Sequence, residues 1–213
     1  MKDRADAILQ RAQAHYLDSL LPPRDALLER VEEYAHENGQ PIADPEVAQL
    51  MRVLLRAKRP RRLIEVGTNI GYSVIVMGRE LGREGTLETI EIDQRTLSVA
   101  KGFVAEAGLE CRVVFHHGAA LDVIPRLEGT FDFAFIDCVK TEYGQYLDGL
   151  LPKLEKGAVI VCDNLLWGGK VADGVRDGST DALRAFNQRI ATDGRLVTTI
   201  LPVGDGTGIA IVQ

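Results

Sequence analysis

Cysteine is scarce in this 213-residue chain: Cys111, Cys138 and Cys162 make an odd number with no metal-type spacing. That excludes a disulfide scaffold and a thiolate zinc site, and it leaves reduced thiols in a cytoplasmic protein as the simplest reading. Long apolar runs are missing as well. None approaches the ~18 residues that cross a bilayer, and the opening Met1-Lys2-Asp3-Arg4-Ala5-Asp6 lacks the apolar stretch of a signal peptide. No membrane role is expected. Positive charge is in deficit, with a formal net charge of −6, which argues against general nucleic-acid binding. Also absent is G-x-G-x-x-G, so the phosphate fingerprint of a dinucleotide-dependent dehydrogenase is missing.

What is present is an ordinary globular composition, 46% apolar and 26% charged, long enough for one α/β domain with a substantial core. The first stretch reads as helices. One covers 3–20, with Ala7, Ile8, Ala12, Tyr16 and Leu20 on one face. A second starts after Pro22-Pro23 and stops near Gly39; a third follows Asp44-Pro45. From residue 58 onward, short apolar runs alternate with amphipathic segments. Strands are expected at Arg62–Val66, Leu87–Glu91, Arg112–Phe115, Phe131–Ile136 and Ala158–Cys162. Helices are expected near 71–82, 94–107, 119–126, 143–154 and Asp181–Thr192. Strands apolar on both faces imply a parallel sheet covered on each side. Leu196–Leu201 and Gly208–Val212, joined by a short turn-rich segment, should close the chain as an antiparallel hairpin at the sheet edge. The fold class is therefore a doubly wound, mostly parallel, Rossmann-like α/β sheet. It forms one domain over 1–213, with a helical extension over 1–57 and a cofactor-binding core over 58–213.

Open sheets of this kind bind ligands outside the carboxyl ends of their strands. The first such end reads Glu65-Val66-Gly67-Thr68-Asn69-Ile70-Gly71-Tyr72-Ser73. Its glycines permit a sharp turn and close approach, while the acidic Glu65 suits a cationic ligand better than a phosphate. S-adenosylmethionine carries an ammonium and a sulfonium and fits, with Gly67, Thr68, Tyr72 and Ser73 as further cofactor contacts. Ser73 stands near a helix N-terminus that would hold the cofactor's carboxylate. About 20 residues on, at the end of the second strand, Glu91 is the candidate for the ribose hydroxyls. Ile92 beside it joins the cofactor set, and Asp93 is read as a helix N-cap.

The fourth strand ends at Asp137 and the fifth at Asp163-Asn164. These are three hard oxygen donors on the same sheet edge, suited to Mg²⁺, or to Mn²⁺ or Ca²⁺, and poorly to zinc. A phenol with a pKa near 10 is a weak nucleophile at neutral pH. A divalent cation gripping a vicinal phenolic diol would activate it and aim its oxygen. Lys140 is the candidate for accepting the proton, and Trp167 for walling an aromatic ring. His116 and His117 are read as surface or packing residues after the third strand.

These stretches resemble the cation-dependent O-methyltransferases, the family of catechol and caffeoyl-CoA O-methyltransferases. The resemblance is carried by E-V-G-T-N-I-G-Y-S at 65–73, F-I-D-C-V-K at 135–140, D-N-L-L-W-G-G-K-V-A-D at 163–173 and L-P-V-G-D-G at 201–206. It implies a class I methyltransferase with a seven-stranded sheet, an antiparallel final strand and commonly a homodimer. It also implies Asp137, Asp163 and Asn164 as metal ligands, Lys140 as the base and Glu91 on the ribose. Two departures stand out. Cys138-Val139 replace a family pattern that has a second acid, and Ala119 stands where many bacterial members carry an Asp that would reach the adenine. Ala119 is kept as an adenine-pocket residue, and Asp137 as a cofactor contact besides a metal ligand.

The bacterial tRNA hydroxyuridine methyltransferases look similar too, so tRNA is the alternative acceptor, with Lys58-Arg59-Pro60-Arg61-Arg62 as candidate phosphate contacts. A non-catalytic scaffold would have lost the Asp137, Asp163, Asn164 and Lys140 set. All four are present.

Overall fold

The computed structural model describes residues 11–213; the helix expected over 3–20 falls partly outside them. Its described part is α1 (Arg11–Asp18), followed by α2 (Ala26–Asn38) and α3 (Pro45–Lys58). Asp25 caps α2 by accepting from Leu27 N and Leu28 N at 3.1 and 3.0 Å. Gly39 ends it at φ 61°, a conformation that favours glycine. Then come β1 (Arg62–Val66), α4 (Tyr72–Gly78), β2 (Thr86–Glu91), α5 (Gln94–Glu106), β3 (Arg112–His117), α6 (Ala120–Val123) and β4 (Phe131–Ile136). The chain closes through α7 (Tyr143–Leu150), β5 (Leu154–Cys162), α8 (Gly178–Thr192), β6 (Leu196–Leu201) and β7 (Thr207–Val212).

The seven strands are ordered β3-β2-β1-β4-β5-β7-β6. The first five pair in parallel, and β7 runs antiparallel to both β5 and β6. Strand order reverses between β1 and β4, and that junction opens the crevice in which such folds bind ligands. Period-two alternation divides the core. Ile64, Val66, Ala134, Ile136 and Ile160 face α7 and α8, packing with Tyr143, Leu147, Leu183 and Phe186. Their neighbours Leu63, Phe133, Phe135, Val159 and Val161 face the other layer, with Val31, Val47, Met51, Leu55 and Ile75. The helices ahead of β1 thus share one side of the core with α4 and α5.

Several boundaries differ from the sequence expectation, each for a local reason. The helices expected near 119–126 and 143–154 shorten to α6 and α7. Each passes into a 3₁₀ turn carrying a proline, Ile124–Arg126 and Leu151–Lys153, because proline lacks the N–H that continues an α-helix. β5 starts at Leu154 rather than Ala158: an irregularity between Phe131 and Phe133 of β4 admits extra residues of β5, and Gly157 there has φ 79°. That segment carries the exposed Glu155 and Lys156 and so hides its strand character. α8 begins three residues early because Asp177 caps it. β3 extends through both histidines, and His116 Nε2 lies 2.7 Å from Glu88 Oε2. Among the described residues no helix is long and apolar enough to cross a membrane.

Candidate active site

The carboxyl ends of β1, β2, β4 and β5 meet at one cleft of about 670 Å³, walled in part by Gly67, Tyr72, Glu91, Asp137, Lys140 and Trp167. Thr68, Ser73 and Asn164 also line it. Of the other residues singled out from sequence, Glu65 and Asp163 lie just beneath, at 0% and 1% exposure. Ile92 and Ala119 are not among the lining side chains. Ile92 is 63% exposed, and Ala119 is half-buried at the start of α6.

The loop after β1 is built around a close approach. Gly67 has φ 107°, and a Cβ there would lie 2.1 Å from the Asp137 main-chain oxygen. The turn that forms one wall of the cleft is therefore seated directly on the residue that forms another. Replacing Gly67 with alanine is expected to cost about 2–4 kcal/mol, from left-handed strain plus that clash, and to displace Asp137. Urea unfolding measures the cost, and a loss under about 1 kcal/mol would show that the loop can shift.

Glu65 is the least comfortable group in the site. Its Oε2 accepts from Thr89 Oγ1 at 2.5 Å, and Thr89 Oγ1 in turn lies 2.5 Å from Thr68 Oγ1. Oε1 has no hydrogen-bond partner. Burial pushes the carboxyl up to about 7, countered only in part by the hydroxyls of Ser73 and Thr89, and helped by the negative charges of Asp137 and Glu91. A buried carboxylate oxygen left over in this way fits a cationic group. Glu91 differs: Asn69 N donates to Oε2 and Asp93 N to Oε1, both at 2.9 Å. Two amides fix the carboxylate at the cleft wall, and each oxygen keeps a lone pair for a ligand hydroxyl. Asp93 caps α5 as expected, accepting from Thr96 N at 2.7 Å.

At the other end of the cleft, Lys140 Nζ donates to Asp137 Oδ1 at 2.7 Å and to Asn164 Oδ1 at 2.6 Å. Two oxygens from different strands already converge on one cation. Asp163 stands just past the end of β5, its Oδ1 accepting from Asn164 N at 2.7 Å. Burial, then the charge of Asp137, pushes its carboxyl up to about 7. Two carboxylates and an amide are an all-oxygen set. Among the described residues no three His, Cys, Asp or Glu side chains gather as a metal site; the third oxygen of this set is the Asn164 amide. Trp167 stands at the same end at φ 51°, with the ammonium groups of Lys140 and Lys170 5.9 and 5.6 Å from its ring.

This loop is braced from behind. Leu165 N and Leu166 N donate to Gly206 O and Asp205 O, both at 2.8 Å, and Gly168 N donates to Asp205 Oδ1 at 2.6 Å. Asn187 of α8 donates from Nδ2 to Leu165 O at 2.8 Å. The L-P-V-G-D-G stretch is thus a support for D-N-L-L-W, not part of the cleft floor.

Sequence reading passed over Tyr143. It is wholly buried, accepts from Lys140 Nζ at 2.8 Å and donates to the Asp163 main-chain oxygen at 3.0 Å. Burial raises its pKa well above the ordinary tyrosine value. The available signal was its spacing, three residues after Lys140 at the head of a helix. Pro41, Ile42 and Ala43, before α3, also line the cleft, and Asn69 Nδ2 donates to Pro41 O. Cys138 is half-buried and lines the cleft beside Val139, which is 48% exposed.

The basic run at 58–62 does not join the site. Arg62 opens β1, at the end opposite Gly67, where it pairs with Glu88 at 2.5 Å, and the Arg61 and Arg62 amides donate to Asp132. Arg59 and Arg61 line a separate groove with Arg56 and Glu80.

Fold and site together define a doubly wound enzyme domain with a nucleoside-type cleft and an oxygen-rich polar end. Residues 23–212 match the O-methyltransferase family model, and the chain belongs to that family. It is 33% identical over 211 residues to the catechol O-methyltransferase of Niastella koreensis, covering 93% of this chain and 96% of that enzyme. It is 35% identical over 184 residues to tricin synthase 2 of Oryza sativa subsp. japonica, covering 80% of this chain and 63% of the relative, less than two thirds of its length. The solved structure of the Streptomyces achromogenes O-methyltransferase TomG, involved in tomaymycin synthesis and in complex with SAM, superposes with a TM-score of 0.85 at 31% identity, covering 93% and 95% of the two chains.

Proposed function

We propose that this chain transfers the methyl group of S-adenosylmethionine to one hydroxyl of a vicinal phenolic diol, a catechol or caffeoyl-type small molecule, with a divalent cation, Mg²⁺ first among them, at Asp137, Asp163 and Asn164. The observation that carries the reading is the convergence of Asp137 Oδ1 and Asn164 Oδ1 on the Lys140 ammonium, beside the nearly fully buried Asp163. That donor set is hard, oxygen-only and already arranged around positive charge. The relative that acts on catechol and the SAM-bound TomG support the same reading.

The cofactor supplies a methyl carbon on a positively charged sulfur, open to in-line attack. Glu65 would meet its ammonium with the unpartnered Oε1, and Glu91 its ribose hydroxyls, with Gly67, Thr68, Tyr72 and Ser73 shaping the pocket around it. A divalent cation supplies Lewis acidity that favours the ionised form of the acceptor hydroxyl. Asp137, Asp163 and Asn164 would hold it and so orient the diol. Lys140, whose Nζ reaches both Asp137 and Asn164, would stand beside the bound diol as the acceptor for its hydroxyl proton. The phenolic oxygen forms its bond to the methyl carbon as the carbon–sulfur bond breaks. Trp167 lines the acceptor end as a flat wall. Val139, where a family pattern has an acid, leaves this rim apolar, which favours an uncharged ring substituent.

A panel of acceptors with labelled S-adenosylmethionine tests the substrate class. Catechol and caffeoyl esters are expected to accept label, and phenols lacking the second hydroxyl to lose most of the rate. Labelling of hypomodified tRNA alone would replace the small-molecule acceptor with RNA. The placement of the 58–62 basic run at the far end of β1 argues against that outcome.

A further inference from the structure

Lysine alone is a poor positioning device, a mobile four-carbon stem ending in three donors. Here all three donors are engaged, by Asp137 Oδ1, Asn164 Oδ1 and Tyr143 Oη. The first two partners belong to the proposed cation set. The third does not. Tyr143 opens α7, wholly buried, its ring edge-on to Phe186 of α8 at 5.4 Å and 83°. Its hydroxyl proton is committed to the Asp163 main-chain oxygen, so an oxygen lone pair is left facing Lys140. One rigid phenol thereby spans the loops after β4 and β5.

We propose that Tyr143 is the positioning residue for Lys140, the fixed tether that keeps Nζ beside the acceptor hydroxyl once Asp137 and Asn164 are engaged by a cation. The proposal rests on the function proposed above and adds to it a residue that acts through Lys140. Without the tether, the amine retains only partners that the cation also claims, and its stem is free to rotate away from the reacting oxygen. The effect should fall on the chemical step and spare binding, because Tyr143 is buried behind the cleft wall.

Tyr143→Phe keeps the ring on Phe186 and deletes one oxygen. Expected is a fall of about 10- to 100-fold in kcat, with KM for the diol and Kd for S-adenosylmethionine within about twofold of wild type. In a Lys140→Met background the same change should cost no further rate. A second readout needs no methyl transfer: limited acetylation with acetic anhydride, read by mass spectrometry, should modify Lys140 faster in Tyr143→Phe than in wild type, measured against Lys156 in the same digest. Unchanged kcat, a loss that persists in the Lys140→Met background, or unchanged Lys140 labelling would each overturn the proposal. Should the wild-type enzyme methylate no member of the acceptor panel, the proposed function fails, and the labelling comparison still decides the role of Tyr143.

Discussion

Asp163→Asn is expected to lower kcat/KM by about 10³-fold or more while leaving the protein folded and, without added metal, no less stable than wild type. The two halves of that expectation come from the same facts. Asp163 is 1% exposed, and burial together with Asp137 pushes its carboxyl up to about 7, so its charge is a burden that Asn164 N and Lys140 relieve only in part. The asparagine is isosteric, and its Oδ1 can still accept from Asn164 N, the bond Asp163 makes at 2.7 Å. Activity falls because a formal charge leaves the cation set, and several kcal/mol of transition-state stabilisation goes with it. Calorimetric titration with Mg²⁺ and unfolding in EDTA separate the two halves. Retained activity would remove Asp163 from the cation set. Loss of the fold would make it a structural residue instead.

Glu65→Gln should produce the second large effect, and pH gives it a signature. The folded-state carboxyl stands at about 7 and its ordinary value is 4.5. Between those values the folded chain holds a proton that the unfolded chain releases, so stability falls as pH rises through this window. The full penalty, roughly 3 kcal/mol, is present above pH 7. The glutamine variant lacks it, and its melting temperature should stay flat in Glu65's share of the window where the wild type declines. S-adenosylmethionine, bringing an ammonium to Oε1, should therefore stabilise the wild type more at pH 8 than at pH 5. It should bind the variant about 10- to 100-fold more weakly at pH 8. Thermal melts at both pH values, with and without cofactor, check the sign. A variant that binds the cofactor as well as wild type would move the ammonium away from Glu65.

Most of the scaffold was legible because its signals are local. β1, β4 and β6 begin and end where the apolar runs do, and the helix end at Gly39 and the cap at Asp93 follow from residue type. The misjudged boundaries lie where tertiary pairing overrides pattern, as in the polar first half of β5, or where proline turns an α-helix into a 3₁₀ turn. Of the candidate site, the residues at strand ends were readable because a parallel sheet places every carboxyl end on one edge. What could not be read were contacts reaching across elements. Tyr143 meets Asp163 from twenty positions away, and the 201–206 stretch braces the 163–168 loop through main-chain bonds that side-chain pattern does not encode. The His116–Glu88 contact is of the same kind: it crosses from β3 to β2 on a diagonal, His116 standing opposite Ile90.

Asp137, Asp163 and Asn164 are proposed to hold a cation without which the reaction does not proceed. The most direct test is the rate of methyl transfer from labelled S-adenosylmethionine to catechol by wild-type enzyme, stripped with EDTA and then titrated with Mg²⁺. The expected result is a rate near background after stripping that returns in a saturable way with added Mg²⁺, while cofactor binding persists throughout. A rate unaffected by EDTA, at a chelator concentration that leaves no free divalent ion, would contradict it.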